Sequence, residues 1–101
     1  MRDFEEQVER ALDELPPELA RRLENVAVVV EDESPEDPEL LGLFEEPAFL
    51  PAKITIYRRP LEADFGHDPG LLRHEIRVTV LHEVAHYFGI DEERLEELGY
   101  D

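Results

Sequence analysis

The chain has 101 residues, no cysteine and a formal net charge of −17, from 27 acidic against 10 basic side chains. That length suits one domain, residues 1–101, burying roughly 60–65% of the surface its unfolded form exposes. The missing cysteines exclude disulfides, thiolate-held metals and thiol nucleophiles, and the acidic field disfavours nucleic-acid and anionic-membrane partners.

Phe4, Val8, Ala11, Leu12 and Leu15 recur at helical spacing with charged residues between them, which predicts an amphipathic first helix ending before Pro16-Pro17. Pro17 can open a second, short helix over residues 18–23, because proline's fixed φ suits a first helical position. The β-branched run Val26-Ala27-Val28-Val29-Val30 predicts a strand buried on both faces, followed by an acidic, proline-containing loop over residues 31–39. Residues 40–44 fit a short strand, although their spacing does not separate strand from irregular structure. Lys53-Ile54-Thr55-Ile56-Tyr57-Arg58 alternates apolar and polar side chains, so it reads as a strand with one solvated face, ended by Pro60. Such a strand is a candidate edge for an added extended peptide.

Residues 62–70 contain Gly, Pro and Asp and read as a loop. Residues 71–88 form the longest apolar-rich stretch; its middle has strand-like composition, but its length without a turn signal favours one helix. Leu72, Ile76, Val80 and Val84 then follow i, i+4 spacing, so that face packs against the sheet while His82 and His86 point elsewhere. Asp91 can cap a final helix over residues 92–98. The order of elements implies an α+β domain: a small mixed sheet against a long helix, with further helices at each end.

Within that long helix stands His82-Glu83-Val84-Ala85-His86. Positions i and i+4 project from one face a turn apart, so both imidazoles can reach a single ion at roughly 2.0–2.1 Å. Glu83 is rotated roughly 100° from His82, which suits a general base acting on a water beside the ion. His74-Glu75 begins the same way, but Val78 stands where a second histidine would be needed. Gly89 suits the left-handed residue that ends a helix, and Asp91 and Glu92 follow it. The stretch as a whole reads His-Glu-x-x-His-x-x-Gly-x-x-Glu, and a break at Gly89 lets the chain fold back towards the ion.

These residues resemble the zincin metallopeptidases, and more narrowly the short bacterial zincin-like family whose members carry His-Glu-x-x-His-x-x-Gly-x-x-Asp. The resemblance implies a zincin-like minimal domain, with a small mixed sheet and a long active-site helix, spanning most of the chain. It implies Zn2+ held by His82, His86 and Glu92, with Glu83 as catalytic base and Gly89 as the turn. Glu92 departs from the family's usual Asp by one methylene, and Asp91, one position earlier, is the alternative. Met1 is the sole methionine, so no methionine turn follows the motif.

With zinc in place, Glu83 would take a proton from the attacking water and return it to the departing amine. An oxyanion donor is also needed, with Tyr57, His74, Tyr87 and Tyr100 as candidates. The leading expectation is a zinc metallopeptidase acting on peptides or unfolded protein segments. A non-catalytic zinc-binding regulatory or interaction module with the same fold is the alternative. A metal-dependent endoribonuclease is disfavoured by the charge and by Glu92 in place of a third histidine. No apolar stretch approaches a membrane span and the first residues lack a signal-peptide core, so a soluble cytoplasmic protein is expected.

Overall fold

A computed structural model of the chain describes residues 2–15, 17–23, 25–91, 93, 94 and 97. The elements are α1 (Arg2–Asp13), α2 (Pro17–Arg22), β1 (Ala27–Glu31), β2 (Gly42–Glu45), β3 (Lys53–Tyr57), α3 (Arg58–Phe65) and α4 (Pro69–Phe88). The three strands form one mixed sheet in the order β1-β3-β2, with β1 parallel and β2 antiparallel to β3. Helices α1, α3 and β2 pack on α4, giving the α+β architecture expected of the sequence.

The core follows from the periodicities. Phe4, Val8 and Ala11 line one side of α1, with Leu15 just past its end, and Ile76, Val80 and Val84 line one side of α4; they meet Ile54, Ile56 and Leu61 in a single buried cluster. Leu72, one turn before Ile76, is only partly buried against it. Burying a side chain of this size stabilises by about 1.5–3 kcal/mol, so five aliphatic residues with no exposure, Ile54, Ile56, Leu61, Ile76 and Val80, anchor the sheet to the helices.

Three sequence expectations change. Residues 26–30 do not form a strand buried on both faces: β1 is an edge strand with exposed ends and a half-buried middle, because a sheet of three strands has two edges. Residues 53–58 do not offer a solvated edge: β3 is the central strand, and Thr55 and Tyr57 on its second face are 1% and 4% exposed. Ser34, Pro35 and Glu36 from the acidic loop border that second face. The loop expected over residues 62–70 is largely helical. Pro60 sits in the first turn of α3, where the amide it lacks has no intrahelical partner, so the proline that seemed to end a strand belongs to a helix start.

Arg58 ties this corner together. Its guanidinium contacts Asp32 at 2.8 Å and Glu62 at 2.6 Å, and the Arg59 amide donates to the Asp32 carbonyl at 2.9 Å. The hydrogen bond from Arg58, followed by its charge, holds the Asp32 carboxyl below its ordinary pKa, while the same bond raises that of Arg58. A lowered carboxyl pKa contributes stability that is present above the unfolded value and lost as pH falls through the folded one. Arg58→Gln should therefore lower the urea midpoint slightly at neutral pH. The gap from wild type should narrow as pH drops below the ordinary Asp value of 3.8.

Candidate metal centre

Helix α4 is built to hold one face steady. The Asp68 carboxylate accepts hydrogen bonds from the Gly70 and Leu71 amides at 3.0 and 3.3 Å, and Pro69 occupies the first turn, so Asp68-Pro69-Gly70 starts the helix earlier than its loop-like composition implied. At the other end Gly89 takes φ 68° and ψ 27°, and the Ile90 amide reaches the Ala85 carbonyl at 2.8 Å. Nothing lies near the place a Gly89 side chain would fill, so backbone conformation is what calls for glycine there.

His82 and His86 stand one turn apart on this helix, half-buried and exposed respectively, away from the Ile76-Val80-Val84 face. Glu83 is different. Its side chain is 10% exposed, and one carboxylate oxygen, Oε1, lies 3.2 Å from His86 Nδ1. With Nδ1 protonated the imidazole donates to Glu83 and leaves the Nε2 lone pair free for an ion, the arrangement by which carboxylates orient metal-binding histidines. Two imidazoles with a carboxylate partner are a donor set that suits zinc.

Glu83 owes its burial to β2. A Cβ on Gly42 would fall 2.9 Å from Thr79 Cγ2 and 3.0 Å from Glu83 Cγ, so the strand runs against the motif turn only because Gly42 has no side chain. Gly42 and Thr79 were missed as site residues in the sequence, although a glycine inside a short strand was the available signal. Gly42→Ala should lower stability by about 1–3 kcal/mol by overpacking this contact. Adding Thr79→Ser, which removes the nearest methyl group, should restore part of the loss in urea melts.

The same strand supplies a free edge. The Tyr57 amide donates to the Leu41 carbonyl at 2.9 Å, and the register pairs Leu43 with Thr55 and Glu45 with Lys53. Because hydrogen-bonded and non-bonded pairs alternate in an antiparallel ladder, Gly42 and Phe44 turn their own N–H and C=O groups away from β3; Gly42 is buried there and Phe44 half-buried. The edge that residues 53–58 were expected to offer thus belongs to β2.

The remaining expected residues separate. Tyr87 packs edge-on against Phe44 and Phe88, with ring centroids 5.7 and 5.0 Å apart, so it stays beside the motif and β2. Tyr57 lines the second face of the sheet, and His74 lines a cavity between α1 and α4. His67 is exposed in the turn before α4. Asp91 accepts from the Arg94 amide at 2.8 Å, the capping bond expected of it, and residues 93, 94 and 97 are helical. Glu92 and Tyr100 lie outside the described residues. Among the described residues no group of three or more His, Cys, Asp or Glu side chains is arranged to hold a metal. No helix among them is long and apolar enough to cross a membrane.

The profile of a family described as zincin-like metallopeptidase aligns with residues 23–100. No curated protein matches the chain.

Proposed function

The chain belongs to the zincin-like metallopeptidase family, and on that premise we propose that it is a zinc-dependent peptidase in which His82, His86 and Glu92 hold the ion and Glu83 is the general base. The observation that carries this reading is the position of Glu83, nearly buried between Gly42 of the open edge strand and the imidazole of His86. A carboxylate so placed faces both a ligand of the ion and the strand along which an extended peptide would lie.

Zinc, when bound, supplies a Lewis acid that polarises the scissile carbonyl and brings the pKa of a water down towards about 7. The protein's own groups do the rest. Phe44 offers a backbone donor and acceptor that pair with an extended peptide and fix its register. Glu83 takes a proton from the attacking water as the new C–O bond forms, then gives it to the amine nitrogen as the C–N bond breaks, assistance typically worth roughly 10²–10⁴-fold. The Glu83–His86 contact orients the second imidazole before reaction; because Nδ1 and Nε2 point apart, the carboxylate swings from Nδ1 to reach the water. The proposed substrates are peptides and unfolded protein segments; the charge of −17 argues against nucleic acid. The compartment we propose is the cytoplasm.

The experiment is to remove zinc with a chelator, restore it stoichiometrically, and follow cleavage of a mixed library of unstructured peptides. Activity should vanish and return with the metal. One zinc bound with no cleavage anywhere in the library would move the protein to the non-catalytic binding module. The third ligand has its own test. Glu92→Ala should weaken zinc affinity at fixed pH, whereas Asp91→Ala should keep the metal and cost about 0.5–2 kcal/mol through the lost cap. The reverse pattern would transfer the ligand role to Asp91.

A further inference from the structure

A cavity of about 320 Å³ lies between α1 and the first half of α4, lined by Gln7, Arg10 and Glu14 from one helix and Arg73, His74 and Arg77 from the other. Three arginines and a histidine thus surround one hollow in a chain with 27 acidic against 10 basic residues. Yet among the described residues neither Arg10 nor Arg73 forms an ion pair. Only Arg77 is engaged, by Glu14 at 3.2 Å across the two helices.

We propose that this cavity binds a compact phosphoryl dianion between Arg10, Arg73 and Arg77, at a site separate from the His82–His86 turn. Guanidinium groups present planar forks that match phosphate oxygens two at a time, and His74 adds a further ring N–H. The size of the ligand follows from the charge of the whole molecule. A long polyanion, or a second acidic protein, would extend over the surrounding negative surface and be repelled, whereas a small dianion concentrates its charge within reach of the arginines. Contacts made to both helices at once would clamp α1 to α4, so occupancy stabilises the fold.

The test is a titration of the isotopically labelled full chain with inorganic phosphate and, separately, with glycerol phosphate at low ionic strength. Amide signals and the melting temperature are the readouts. Saturable shifts centred on residues 7–14 and 73–77, with a rise in melting temperature, are expected. The double variant Arg10→Gln/Arg73→Gln should weaken binding roughly tenfold or more. It should keep the helical spectrum and phosphate-free melting temperature of wild type, since both side chains are exposed. Affinity should fall as sodium chloride is raised. Tighter binding of the ester points to an organic phosphate and tighter binding of the free ion to inorganic phosphate; either supports the site. Absence of saturation, shifts centred on residues 82–86, undiminished binding by the double variant, or equal affinity for succinate would overturn it. None of these readouts depends on peptidase activity, so the site stands or falls apart from the proposed function.

Discussion

Glu83→Gln should retain one zinc per chain and lower peptide turnover by roughly 10²–10⁴-fold, the span expected for loss of a general base. Glutamine has nearly the shape of glutamate and should fit the space beside Gly42. It can still accept a hydrogen bond from His86 Nδ1 through its amide oxygen, so the second imidazole should keep its orientation. What the amide cannot do is hold the proton taken from water. Zinc stoichiometry, affinity and turnover measured on the same preparations separate the two roles of the carboxylate. Lost turnover at unchanged zinc affinity supports a base; a parallel fall in affinity assigns Glu83 mainly to orienting His86. Equal turnover by both proteins would remove Glu83 from the chemistry.

The second large effect is on stability. Ile76 has no exposure and sits where α4 meets the core cluster, two turns before the motif. Ile76→Ala should cost about 2–5 kcal/mol, the lost transfer energy of the side chain plus the cavity left behind. Against a total of about 5–15 kcal/mol for an ordinary domain, that is a large fraction. Urea denaturation measures it directly. Turnover per folded molecule should stay near wild type, because the substitution removes no group from the face bearing His82, Glu83 and His86. A loss confined to turnover, with the urea midpoint unchanged, would mean that Ile76 sets the position of the motif rather than the stability of the fold.

What was legible in the sequence depended on whether a signal was local. Helix α4 could be read because its apolar spacing persists for several turns, and its end could be placed because Gly89 supplies a backbone conformation that other residues resist. The pairing of His82 with His86 is equally local, and so is the cap made by Asp91. Helix α3 was hidden because Pro60 punctuates strands and opens helices alike, and nothing nearby distinguishes the two. The strand roles were misassigned for a different reason. Val28 and Ile54 have similar composition, but which strand lies in the middle is set by pairing between distant segments. The burial of Glu83 was hidden by the same non-locality, since it rests on Gly42 from a strand far upstream. Glu92 as a ligand remains where the motif spacing puts it, a proposal for the zinc-affinity measurement to decide.

The length of α4 has a consequence for how this protein can change. A helix of 20 residues runs about 30 Å, and its partners are distributed along it. Residues near its start meet α1 and α3 through Leu72, Ile76 and Arg77, while Thr79, Glu83 and Tyr87 meet the edge strand. The buried residues of α4 nevertheless run from Ile76 to Ala85, so the core and the His82–His86 turn share the same stretch of helix on different faces. A lineage, or a designer, that altered the motif face would have to do so without disturbing the packing on the opposite side of the same turns.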